Sequence, residues 1–275
     1  MNKLTQAKRV QVIAALVEGN SVRATCRMTG VCKKAVLKLL VDLGSACAQY
    51  QDEHLRRLPC QRIQCDEIWS FCYAKEKNVS DEYKGKLGFG DVWTWVAIDA
   101  DSKLIVSYLV GKRSAEYASK FIADLASRLA NRIQLTTDGH KAYLQAVEGA
   151  FGADIDYAML EKIYAASPRE GQARYSPAEC CGARKVKIQG NPDDAHISTS
   201  YVERQNLTMR MSLRRMTRLT NAFSKKLENQ AHAVAIHFMH YNFAKIHQTL
   251  RVTPAMEVGV ADHVWSLEEI ISLLD

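Results

Sequence analysis

The sequence predicts an α/β fold, on three observations. Segments 62–73, 92–98, 103–110 and 132–137 are rich in β-branched and aromatic residues and alternate as strands do. Stretches 116–129 and 201–219 repeat their apolar residues at helical spacing. Helical patterns without strands, 4–43 and 221–247, flank this alternating middle. The expected organisation is a helical module over 1–50, a linker over 51–60, an α/β domain over 61–220 and a helical segment over 221–275.

Composition narrows the function classes. The chain has 275 residues, of which 47% are hydrophobic, enough for a real core. A net charge of +7 and a pI near 8.9 point to an anionic partner, nucleic acid above all. No apolar run is long enough to span a membrane, and no signal peptide is visible, so a cytoplasmic protein is expected. The eight cysteines lack framework spacing and contain no C-x-x-C pair. Reduced thiols fit better than disulfides or a cysteine zinc site.

At the amino terminus, Leu4, Ala7, Val10, Ile13 and Val17 form one helical stripe, ended by Glu18-Gly19-Asn20. Ser21 can cap a short second helix, Thr29-Gly30-Val31 makes a turn, and a third helix begins at Lys33. Helix, short helix, glycine turn and helix is the helix-turn-helix order. Lys33, Lys34 and Lys38 then lie where a recognition helix meets DNA. A plain three-helix packing module with surface lysines is the competing reading. The polar stretch 49–58, closed by Pro59, reads as the linker.

In the central domain, Asp66 stands in the middle of the first strand. A carboxylate there needs a partner, whether a metal, an arginine or solvent. Strict alternation sends Glu67 to the opposite face, so Asp66 is the favoured site residue. The next two strands form a hairpin through Asp99-Ala100-Asp101-Ser102, and Ser114 caps the helix that follows. The fourth strand runs straight into Asp138-Gly139, and a carboxylate just past a strand's end is where α/β folds place chemistry. Capping the helix over 141–147 is the alternative role for Asp138. Segment 155–163 reads as one more strand. Segment 165–197, with three of the five prolines, reads as a long loop inserted in the domain.

The late helix, 201–219, has Val202, Met209, Leu213, Met216 and Leu219 on one face. Glu203, Arg210 and Arg214 lie about 100° round from it. Between Arg204 and Leu227 stand seven Lys/Arg, including Arg215 and Arg218, and no acid. Solvated helices mix their charges, so this run is aimed at a polyanion, with Glu203 as a metal-holding carboxylate beside it. The final helix, expected over 221–247, carries four histidines without acidic company and reads as packing.

The three acids, 72 and 65 residues apart, and the order of elements resemble the ribonuclease-H-like fold of DDE transposases and retroviral-type integrases. More closely, CDEIWSF at 65–71, TTDGHKAY at 136–143, YVERQNLTMR at 201–210 and the tail MHYNFAKIHQTLRVTPAM at 239–256 resemble the insertion-sequence-one family of bacterial transposases. That resemblance implies a ribonuclease-H-like catalytic core behind a helix-turn-helix module. It implies Asp66, Asp138 and Glu203 as catalytic metal ligands, and Arg210 as a DNA contact at the active site. The cysteine-rich zinc element that opens many members is missing here. The cofactor implied is two Mg²⁺ or Mn²⁺ ions, Asp66 touching both and each other acid holding one. Such a pair, about 3.5–4 Å apart, activates an oxygen nucleophile and neutralises charge at phosphorus. The partners implied are transposon terminal inverted repeats, target DNA and a second copy of the chain. A ribonuclease-H-type nuclease that does not join strands, and an inactive sequence-specific DNA-binding protein, remain as alternatives.

Overall fold

The computed structural model describes residues 4–164, 180–217 and 220–275. Arg218 and Leu219, and residues 165–179 of the inserted segment, lie outside them.

Three helices open the chain: α1 (Gln6–Val17), α2 (Val22–Thr29) and α3 (Lys33–His54). The Thr5 and Ser21 side chains cap the first two, and Gly30, in the left-handed region at φ +71°, ends the second. Helix α3 runs on into the stretch read as linker. Its polar composition there hides inward contacts: the Gln51 amide donates to the carbonyls of Cys47 and Ala235 (2.9 and 3.1 Å), and Leu55 is buried.

Six strands follow: β1 (Arg62–Cys72), β2 (Gly90–Asp99), β3 (Ile105–Gly111), β4 (Gln134–Asp138), β5 (Asp156–Tyr164) and β6 (Cys180–Gln189). They form one sheet in the order β3-β2-β1-β4-β5-β6. β2 is antiparallel to both β1 and β3, while β4 lies parallel to both β1 and β5. Helices α4 (Ala115–Arg128) and α5 (Ala142–Phe151) make the connections that parallel neighbours require. β6 occupies part of the segment read as loop, antiparallel to β5. It is exposed along most of its length, and its only alternation, Val186 and Ile188 between Lys185, Lys187 and Gln189, is too short to stand out from a loop.

Helix α6 (Ser200–Ser212) is shorter than the sequence suggested. Leu213 is extended and a single 3-10 turn follows at Arg214–Met216. The apolar stripe of Val202, Met209, Leu213 and Met216 is nevertheless buried as expected, shared between helix and turn. The last helices are α7 (Leu227–Met239), continued by a π turn at His240–Ala244, then α8 (Pro254–Glu257) and α9 (Leu267–Ser272). α7 begins six residues later than expected.

One apolar core runs from α1–α3 through the sheet to α7–α9. α3 and α7 approach closely at Gly44, where a methyl group would meet the Cβ of His232 at 2.4 Å. Asn242 grips β3, its amide giving to and taking from the Ile105 backbone at 3.0 Å each way. Among the described residues no helix is long and apolar enough to cross a membrane.

Candidate active site

The five residues of β4 stop at Asp138, and its register with β1 pairs Cys65 with Thr137. One step further puts Asp66 beside Asp138, at the spacing of neighbouring strands, about 4.8 Å. Because β4 ends there, the edge of β1 is open, and acids from both of its faces can turn into the gap. Asp66, Glu67 and Asp138 each offer a carboxylate oxygen, all within 4.8 Å of one another.

Each acid is oriented by neighbours. Asp66 accepts the Glu67 backbone N–H at 2.8 Å and the Asn206 amide of α6 at 2.9 Å. Asp138 accepts the His140 N–H at 3.0 Å, which tightens the turn into α5. Glu67 has a side chain only 1% exposed, lies near the Tyr143 hydroxyl and takes the Arg113 Nε at 3.0 Å. Arg113 also reaches Asp138, at 3.5 Å.

One guanidinium does not balance this cluster. Burial first, and Asp138 next, push the Asp66 carboxyl from 3.8 up to about 7, and Glu203 adds to the rise. Burial and Asp138 do the same to Glu67, also to about 7, against the opposing pull of Arg113. The second oxygen of Glu67 is buried with no hydrogen-bond partner. Crowded, desolvated carboxylates with an orphaned oxygen suit a hard divalent cation.

Glu203 is not one of the three carboxylates that meet within 4.8 Å, although its charge acts on Asp66. Its oxygens are engaged elsewhere, one by the Thr199 hydroxyl and one by Lys162 of β5 at 2.7 Å. α6 is held to β1 by Gln64, two residues before Asp66 and on the same face. The Gln64 side-chain oxygen accepts the N–H groups of Tyr201 and Val202 at 2.8 and 3.3 Å. A strand side chain thus satisfies donors at the helix start.

Of the cations read as DNA contacts, Lys33, Lys34, Lys38, Arg204 and Arg214 are exposed. Lys38 is paired with Asp42. Arg210 and Arg215 turn inward instead. Arg210 donates to the carbonyls of Met216 (2.9 Å) and Trp69 (3.4 Å), holding the turn after α6 against β1. Arg215 donates to Ser224 Oγ and the Asn229 carbonyl at 2.8 and 2.5 Å, and burial draws its pKa down to about 10. Lys33, Arg214 and Lys225 line one cleft of about 700 Å³ between the amino-terminal helices and the segment leading into α7. Arg218 lies outside the described residues.

Sequence reasoning weighed Glu67 and set it aside on strict alternation, whereas its carboxylate lies within 4.8 Å of those of Asp66 and Asp138. Arg113, Lys162, Asn206 and Gln64 gave no local signal, since each matters only through a partner far along the chain.

No protein-family model matches this chain, and no curated protein does. Among solved structures, the Mos1 strand transfer complex is 14% identical at a TM-score of 0.25, over 57% of this chain and 59% of the Mos1 chain. The Mos1 mariner paired end complex with Mn is 12% identical at a TM-score of 0.23, with the same coverage. The piggyBac transposase synaptic complex with hairpin DNA is 10% identical at a TM-score of 0.37, over 98% of this chain and 69% of that one. The likeness to Mos1 spans less than two thirds of that protein's chain. Likenesses this loose fix neither a family nor an activity.

Proposed function

We propose that this chain is a metal-dependent DNA transposase of the DDE type, similar to the insertion-sequence-one enzymes, with a ribonuclease-H-like core. The observation that carries the reading is the meeting of Asp66, in the middle of β1, with Asp138, at the end of the adjacent parallel strand β4, while the charge of Glu203 reaches Asp66 from a helix latched to β1. A sheet of three antiparallel strands extended by two parallel ones supports the ribonuclease-H-like assignment.

Asp66, Asp138 and Glu203 are the proposed ligands, and Glu67 is a fourth carboxylate within reach. Two Mg²⁺ or Mn²⁺ ions bound there would supply the activated oxygen nucleophile and neutralise charge on phosphorus. The chain's own part is to gather its carboxylates and aim them, at the cost of raising the pKa values of Asp66 and Glu67. Asn206 and the Glu67 N–H orient Asp66, and His140's backbone orients Asp138. Arg113 and Lys162 stand against these acids as interim counter-charges. To serve as a ligand, Glu203 would have to give up its pair with Lys162.

DNA would lie across Arg204 and Arg214, with Lys33, Lys34 and Lys38 of a helix-turn-helix reading a terminal repeat. Arg210 and Arg215 would shape that surface from beneath. A second copy on DNA, serving the other transposon end, and a cytoplasmic location complete the proposal.

The test is incubation with duplex DNA taken from the borders of the gene, in Mg²⁺, with a second duplex as target. Cleavage and joining by the parent, lost in Asp66→Asn, Asp138→Asn and Glu203→Gln, are expected. Cutting by those variants at the parental rate would overturn the site. Cutting without joining would leave a nuclease.

A further inference from the structure

A strip of aromatic rings runs outward along β1 from the acid cluster. Arg113, which holds Glu67 and Asp138, lies over the Trp93 ring at 4.9 Å. Trp93 is the cross-strand partner of Trp69, so the two rings share a face, and Trp69 is 5.8 Å from Phe71. Phe71, itself buried, supports Phe223 from beneath at 4.7 Å, so the ring on the surface here is Phe223. At the end of the strand stands Tyr73, 41% exposed and in the left-handed region at φ +66°. Its ring meets Phe89 at 4.9 Å, and Phe89 stacks on Tyr83 at 4.4 Å. From Glu67 to Tyr73 the path covers roughly 20 Å at strand rise.

Cations are interleaved with these rings. Lys225 lies over Phe223 (4.3 Å) and Tyr73 (5.8 Å), and Lys86 lies over Tyr83 at 5.2 Å. Of the neighbouring acids, Asp81 pairs with Lys84 and Glu76 accepts the Asp91 N–H, while Asp91, opposite Phe71, and Glu82, beside Tyr83, are exposed negative charges that Lys225 and Lys86 must outweigh. The same side of the molecule thus offers faces for stacking and charge for phosphates. Every base has a π-face, while a duplex keeps its bases stacked on one another, so this combination suits unpaired strands.

We infer that the strip from Trp93 to Tyr83 seats a single-stranded stretch of nucleic acid as it leaves the acid cluster. The inference rests on the DNA-processing reading of that cluster and deepens it. Strands that have been opened near the scissile phosphate would be held here, bases against rings and phosphates against Lys225 and Lys86.

The experiment uses the full chain and three labelled probes: an oligothymidylate, an abasic backbone of equal length, and a blunt duplex. Anisotropy reads affinity, and quenching of tryptophan fluorescence reads stacking. The oligothymidylate is expected to bind about tenfold or more tighter than the abasic strand. Tyr73→Asn, which tolerates the left-handed backbone, should lose about tenfold toward oligothymidylate and little toward duplex. Tyr73→Phe should restore it. Lys225→Gln, at an exposed position, gives a second measure with no change in melting temperature expected. Equal binding of abasic and thymidylate strands, or unchanged affinity in both Tyr73→Asn and Lys225→Gln, overturns the inference. Cleavage is assayed in parallel. A chain that binds the oligothymidylate through Tyr73 yet never cuts DNA would sink the transposase reading alone.

Discussion

The acid cluster at the end of β4 and the arginine run after Glu203 are both dense in charge, and the fold treats them in opposite ways. In the first, three carboxylates share one guanidinium, and two of them are pushed up to about 7. In the second, Arg210 and Arg215 are matched by backbone carbonyls and hydroxyls, leaving Arg204 and Arg214 exposed. A count of charges along the sequence therefore overstates the cationic surface and understates the need for a cation at the acids. Unmatched charge, rather than charge density, marks where a ligand belongs.

The sharpest way to break this contrast is to remove an acid. Asp66→Asn or Asp138→Asn should reduce Mg²⁺-dependent DNA cleavage to background while leaving duplex affinity near the parental value. Survival of cleavage in both would mean that the cluster is structural.

The next effect in size comes from the matched arginines. Arg215→Met leaves the Asn229 carbonyl without its donor, a loss of roughly 1–3 kcal/mol, visible as a melting temperature lower by several degrees. Arg214→Ala should leave melting unchanged, weaken DNA binding across all sequences, and reduce the salt slope by about one. If the two variants swapped behaviour, the division between inward and outward arginines would be wrong.

A pH experiment sharpens the comparison further. The folded chain holds a proton on Asp66 that the unfolded chain gives up, since its pKa rises from 3.8 to about 7. The folded state then binds more protons across that window, so stability falls as pH rises through it. His237 opposes this: burial draws it down to about 3, so the unfolded chain binds the extra proton and stability climbs toward pH 6.5. The difference between Asp66→Asn and parent isolates the first effect. In metal-free buffer the variant's melting temperature should exceed the parent's by a margin that opens between about pH 4 and about pH 7. A margin independent of pH would mean that the carboxylates are not in conflict.

The smallest change concerns Lys162. Its pair with Glu203 is partly exposed and worth under about 1 kcal/mol. Lys162→Ala frees Glu203, and Mn²⁺ affinity by calorimetry should rise a few-fold. A fall instead would make Lys162 a support of Glu203 and not its rival.

Much of this was legible before any coordinates. The strand around Asp66, the strand ending at Asp138 and the helix bearing Glu203 announce themselves by alternation, by a glycine turn and by helical spacing. Those signals are local, and local geometry expresses them directly. Glu67 was set aside by the same logic: alternation does send it to the other face of β1, yet its carboxylate still comes within 4.8 Å of Asp66 and Asp138. The inward turn of Arg210 and Arg215 was hidden because a guanidinium satisfied by a carbonyl reads, in sequence, like one waiting for phosphate. Strand β6 was hidden because an exposed edge needs no apolar face, so its pairing with β5 leaves only the short alternation at Val186 and Ile188.

The latch from Gln64 to Tyr201 joins residues 137 positions apart. Closing so long a loop is entropically slow, and its contacts reward the chain only late in folding. During synthesis, a polypeptide that has emerged only as far as β5 has both aspartates but lacks the helix that brings the glutamate. On the proposed chemistry, a chain tethered to the ribosome at that length, or one truncated there, is harmless to DNA. Competence arrives with that closure, after most of the sequence has been made.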